Sequence, residues 1–160
     1  MSAKIQPCLW FNMNAEEAAQ FYAATFPDSR IGAIHTAPGD YPAGKRGNVL
    51  TVEMTILGMP FLLLNGGTNF TFDEAVSFQV LTEDQAETDR HWNAIVDNGG
   101  RESACGWCQD PYGLSWQITP RRLMQLMAAG GDTARRAFTA MMEMGKIDIA
   151  ALDRAVSGAA

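Results

Sequence analysis

A chain of 160 residues fits one domain whose core needs no disulfide or metal staple, and 47% hydrophobic against 19% charged residues is a globular composition, not a disordered one. The net charge of −6, with no basic cluster larger than pairs such as Lys45-Arg46 and Arg121-Arg122, argues against nucleic acid as a partner. The first residues lack an apolar run that could serve as an export signal or span, so the expectation is a cytoplasmic protein without membrane contact.

In chain order, Ile5 to Phe11 is short, apolar and aromatic and suits a buried strand, with Pro7 marking an irregular start. Asn14 as N-cap with Glu17 at N3 opens an amphipathic helix that carries Ala18, Phe21, Tyr22, Thr25 and Phe26 and stops at Pro27. Arg30 to Thr36 reads as a strand, and the turn-rich stretch from Ala37 to Gly44 as a loop fit to form the rim of a pocket. Asn48 to Leu57 alternates cleanly, Leu50, Val52, Met54 and Ile56 on one face and Thr51, Glu53 and Thr55 on the other; Pro60 to Leu64 follows and ends at Asn65-Gly66-Gly67. A second unit repeats this order. The strand Ala75 to Leu81 leads into a helix capped by Thr82 and Gln85 that runs to Gly99, and strands follow near Glu102–Ala104, Gly106–Gln109 and Leu114–Thr119. The chain thus divides into two βαβββ halves, about 1–67 and 75–120, inside a domain 1–120. A tail, 121–160, carries three helices and is rich in methionine, packing on the same domain or on a dimer partner.

Three cysteines give no disulfide framework. Cys105-Gly106-Trp107-Cys108 is read as strand and turn residues instead of a redox or zinc motif, because no second cysteine pair or paired histidines accompany it.

The motifs Pro7-Cys8-Leu9-Trp10-Phe11, Asn14 to Ala18, Phe21-Tyr22, Leu64-Asn65-Gly66-Gly67, Ala75 to Phe78, Cys105-Gly106-Trp107, Asp110-Pro111-Tyr112-Gly113 and Ser115 to Pro120 together resemble the PhnB-like proteins. These are relatives of the glyoxalases that often carry the label 3-demethylubiquinone-9 3-methyltransferase. The resemblance extends to the tail through Lys146-Ile147-Asp148-Ile149. It implies the α+β fold of the vicinal oxygen chelate superfamily (glyoxalase/bleomycin resistance/dioxygenase), with paired βαβββ modules in a curved mixed sheet, a C-terminal helical extension, and a homodimer. Relatives hold a divalent metal in a cup. Aligned on Phe21-Tyr22, the first-strand ligand position falls at Pro7, the histidine of the fifth strand at Ser77 and the glutamate of the last strand at Gln117, so the ion's anchors are missing and no cofactor is expected. Of the two histidines, His91 reads as a surface or packing residue of the second helix, and His35 lies at a strand end.

Alternation then assigns a polar lining. Thr51, Glu53, Thr55, Ser77, Gln79, Ser115, Gln117 and Thr119 turn inward, with Pro7, Leu9 and Phe11 as an apolar wall and Trp107 beside the last turn; the remaining tryptophans read as core. Glu53 is the candidate catalytic base, with an ion pair to Arg30 or Arg101 as the structural alternative. The reading that follows is a binder of a small polar or partly apolar molecule in a metal-free cup. The competing readings are a metal-dependent lyase, isomerase or dioxygenase, a solvated or dimer-forming sheet face, and a methyltransferase, which the absence of a glycine-rich turn after the first strand disfavours.

Overall fold

The computed structural model describes residues 4–158. The chain divides after Phe72 into two compact units, each with its own four-stranded sheet. The first unit contains β1 (Cys8–Phe11), α1 (Ala15–Thr25), β2 (Arg30–Thr36), β3 (Val49–Ile56) and β4 (Met59–Asn65). The second contains β5 (Ser77–Thr82), α2 (Gln85–Val96), β6 (Arg101–Glu102), β7 (Trp107–Gln109) and β8 (Ser115–Pro120), followed by α3 (Arg121–Ala128), α4 (Gly131–Met142) and α5 (Ile149–Ser157). The fold is the expected α+β arrangement of two βαβββ repeats with helices at the end. Both sheets share one topology, β1-β4-β3-β2 and β5-β8-β7-β6, in which the first and last strands of each repeat pair parallel and the others antiparallel.

In the first unit the register puts Leu9, Leu63 and Val52 in one row and Met54 opposite Phe61, and all of these are buried. Asn65 shares their face, and its Oδ1 accepts from Ala15 N at 2.9 Å, so α1 covers this side. Asn14 stands at the N-cap but makes no side-chain bond to the first turn, so the expected capping box does not form; the buried Asn65 caps the helix from the end of β4 instead. The hairpin between β3 and β4 turns on Leu57 and Gly58, both left-handed (φ 48° and 79°), the two-residue geometry that matches strand twist. Leu57 tolerates that conformation where Ser29 Oγ holds its N–H at 3.0 Å.

In the second unit α2 covers the face of Val80, Thr82, Cys108, Trp116 and Ile118. Thr82 Oγ1 meets Thr88 Oγ1 of the helix at 2.7 Å, and Trp92 Nε1 donates to Glu102 at 3.2 Å. The N-cap is Asp84, two residues later than expected: its side chain accepts from Glu87 N at 2.8 Å, while Glu87 reaches back to Glu83 N at 2.7 Å. Thr82 faces the core, and Gln85 is committed elsewhere. Its amide donates to Ile147 O and accepts from Ile149 N, at 3.0 and 2.9 Å, docking the tail on the first turn of α2. The tail closes over its own cluster of Leu123, Leu126, Ala137, Ile147 and Leu152, with Met141 and Met144 packed against it. Met124, Met127 and Met142 are exposed. Among the described residues no helix is long and apolar enough to cross a membrane.

Candidate functional site

On the first sheet, the face turned away from α1 carries the rows Cys8, Leu62, Glu53 and Trp10, Leu64, Thr51, His35, with Thr55 beside Arg30. Thr51, Glu53 and Thr55 therefore stand together as the alternation requires. Leu9 and Phe11 do not join them: at 5% and 2% exposure they lie under α1, so the apolar wall assigned to them belongs to the core. Trp10, expected in the core, is the aromatic of this face. Its ring packs over Gly66, its Nε1 donates to Gly67 O at 2.8 Å, and Phe70 stacks edge-on at 4.9 Å. Pro7 stands just before β1, its carbonyl accepting from Leu62 N at 2.9 Å.

Glu53 is 54% exposed, not in a dry recess, and its partner is neither Arg30 nor Arg101 but His35, whose Nε2 lies 3.1 Å from Oε1. A bulge in β2 creates the contact. Gly32 and Ala33 fall between the pairs Ile31↔Met54 and Ile34↔Val52, so two residues oppose Glu53 alone. A Cβ at Gly32 would stand 3.1 Å from Glu53 O, a closeness that favours glycine. The extra residue restores His35 to the side of Glu53.

The second sheet gathers more of the candidates. Ser77, Gln79, Ser115, Gln117, Thr119 and Trp107 all occupy the face turned away from α2, and Gln109 and Arg101 share it. Gln117 Nε2 donates to Ser77 Oγ at 2.9 Å and Gln79 Nε2 to Thr119 Oγ1 at 3.3 Å. Gln109, which the sequence reading passed over, is the hub of one end: it donates to Glu74 at 2.8 Å and accepts from Arg101 Nε at 2.5 Å. Its signal was available, since Gln109 stands two residues beyond Trp107 on the same strand. Ser115 and Gln109 are almost fully buried, 1% and 6% exposed, so this face is partly dry and its hydrogen bonds are correspondingly firm.

The donor set is poor for a metal ion. Among the described residues no three His, Cys, Asp or Glu side chains come together. Cys108 is buried in β7, where desolvation, with Asp110 and Glu102 nearby, pushes its thiol up to about 12. Cys105 lies in a left-handed turn (φ 59°) whose N–H is spent on Met144 O at 2.7 Å. His91 is fully buried, 3.6 Å from Glu87. A cavity of about 530 Å³ beside α3 and α5 is rich in charge, yet Arg121 pairs with Glu83, Arg122 with Asp153, and Asp84 and Asp148 cap helices.

With this geometry in view, the comparisons with known proteins are specific. The model of the family described as 3-demethylubiquinone-9 3-methyltransferase matches residues 3–119, so α3, α4 and α5 lie beyond it. A PhnB protein of Bacillus cereus with the same description is 32% identical over 74% of this chain and 99% of its own, with a TM-score of 0.65. A protein of Pseudomonas aeruginosa shares the fold at 18% identity, over 74% of this chain and 98% of its own, with a TM-score of 0.61. None of the curated proteins matches the chain. The repeat, the matched span and the identity to the Bacillus cereus protein agree, and the chain belongs to the PhnB-like family described as 3-demethylubiquinone-9 3-methyltransferase.

Proposed function

We propose that the chain binds a small polar molecule without a resident metal ion, on the face of the second sheet turned away from α2. The observation that supports this is the Gln117–Ser77 hydrogen bond of 2.9 Å. Those are two of the positions at which the resemblance puts a metal-binding glutamate and histidine. A carboxamide and a hydroxyl are weak ligands for a divalent ion, and here they satisfy each other. Gln79 extends the set of neutral donors and acceptors, with the buried Ser115 and Thr119 behind it, and Trp107 adds an aromatic edge, a composition suited to orienting a polar ligand. The neutral side chains at these positions weigh against the metal-dependent lyase or dioxygenase reading. The methyltransferase reading rests on a family description alone. Homodimerisation and a cytoplasmic location are part of the proposal and are checked by sedimentation and by fractionation.

Thermal-shift screening against polar metabolites, with elemental analysis of the freshly purified protein, tests the reading. A stabilising compound whose effect disappears in Ser77→Ala and Gln117→Ala is the expected result. A stoichiometric divalent ion, or a stabilising compound indifferent to both substitutions, would overturn it. The His35–Glu53 contact favours a second reading, acid–base catalysis on the first sheet, since a carboxylate that fixes one imidazole nitrogen leaves the other to move a proton. Turnover of any carbon acid that survived both His35→Gln and Glu53→Gln would dismiss it.

A further inference from the structure

A second recess lies wholly within the first unit, so it stands or falls independently of the second-sheet proposal. Three segments meet there: Asn12 and Met13 after β1, Pro42 and Ala43 of the long loop, and Gly66 to Asn69 after β4. They border an open recess of about 260 Å³.

The recess is held open by contacts that do not depend on a ligand. Asn65 is 2% exposed and ties the end of β4 to Ala15 N and, through Nδ2, to Val49 O at 3.0 Å. Gly66 N and Gly67 N both donate to Phe11 O, at 3.0 and 3.2 Å. Gly67 is left-handed (φ 92°), and a Cβ there would stand 2.8 Å from Ala43 Cβ, so the turn and the loop are in close contact. The loop closes on itself through Ala37 N to Asn48 O (2.8 Å) and Gly47 N to Ala37 O (2.9 Å). Met13 is held left-handed (φ 61°), a strain of order 1 kcal/mol or more for a side chain of this kind, with Tyr41 Oη 3.8 Å from its sulfur.

The chemistry of the wall is unusual for an acidic protein, because it contains no ionisable side chain. Of the charges on the neighbouring loop, Asp40 and Lys45 neutralise each other at 2.8 Å, and Asp40 also accepts from the backbone N–H of Arg46 at 3.0 Å. Asn12, Thr68 and Asn69 are exposed, and among the described residues none of their side chains has a hydrogen-bond partner, which leaves several donors and acceptors free at one place. Met13, Pro42 and Ala43 supply an apolar floor. An ionised ligand finds no counter-charge there, whereas a neutral molecule with hydroxyls on one side and C–H groups on the other finds both complements.

We infer that this recess, walled by Asn12, Met13, Ala43, Gly67, Thr68 and Asn69, is a binding site for a small uncharged polyhydroxyl compound. Erythritol is a suitable probe and erythronate its charged analogue. Titration of the ¹⁵N-labelled full-length protein is expected to shift the side-chain amides of Asn12 and Asn69 saturably, unaffected by a roughly tenfold rise in salt, with erythronate about tenfold weaker. Asn12→Leu and Asn69→Leu, both at exposed positions, are expected to weaken erythritol about tenfold with the backbone spectrum unchanged. Non-saturating shifts, which mean a hydrated surface dent only, would overturn the inference. So would equal binding of erythronate, or undiminished binding in both variants.

Discussion

The Cys108 thiol shows how one buried residue couples the fold to pH. Its ordinary value of 9.0 rises to about 12 through burial, with Asp110 and Glu102 adding to it, so the folded state holds the proton more tightly than the unfolded chain. The sign follows: this contribution is complete below pH ~9 and is lost as pH climbs toward ~12, by about 1.4 kcal/mol per pH unit. Urea midpoints measured across that range should fall in the wild type and flatten in Cys108→Ala, and a thiol reagent at neutral pH should label the exposed Cys8 and spare Cys108. Asn65 carries a different load. Asn65→Ala strands Ala15 N–H and Val49 C=O at once, and a loss of about 2–3 kcal/mol in equilibrium unfolding is expected. Neither role is readable from an isolated residue: Asn14 offers the better local cap, but a side chain from 50 positions away holds the site.

Among the elements, the docking of the tail depends on Gln85. Its single amide reads one carbonyl and one N–H on either side of Asp148, so Gln85→Ala should cost about 1–3 kcal/mol and speed amide exchange in α5 before α2. The neighbouring Lys146–Asp89 pair, 2.9 Å apart, is partly exposed and worth at most about 1 kcal/mol. The hydrogen bond from Lys146, then that from Gln85, holds the Asp89 carboxyl below its usual range. That stability is present above the ordinary carboxylate range and is lost as pH falls through the depressed value; Lys146→Ala should weaken the dependence in acid titration of the unfolding midpoint, the Gln85 hydrogen bond keeping part of it. Sequence periodicity located nearly every element here, because strands with one wet face alternate and the helices stop at Pro27 and Gly99. The start of α2 was displaced because Thr82 and Gln85 mimic a capping box, while Asp84 caps Glu87 N and the Glu87 carboxylate accepts from Glu83 N.

For the whole molecule, the donor set of the described residues predicts indifference to metals: a chelator added to the full-length protein should leave the thermal midpoint unchanged, whereas stripping a structural ion would lower it. The Ser77→His/Gln117→Glu double variant should in turn acquire a midpoint that rises with added divalent ion. The sequence by itself determined the two βαβββ repeats, the helical tail, and which residues of each strand share a face, Ser77 with Gln79 and Ser115 with Gln117, because strand and helix periods are local properties of each segment, while the family was legible only as a resemblance of motifs. Tertiary structure decided the phase of β1 and the partner of Glu53. Cys8-Leu9-Trp10-Phe11 is apolar throughout, so no alternation tells its two faces apart, and only its pairing with β4 sends Leu9 and Phe11 under α1 and Trp10 to the other side. Likewise His35 reaches Glu53 only because a bulge inserts a residue into β2, and where an extra residue enters depends on how two strands pair, which neither strand encodes alone.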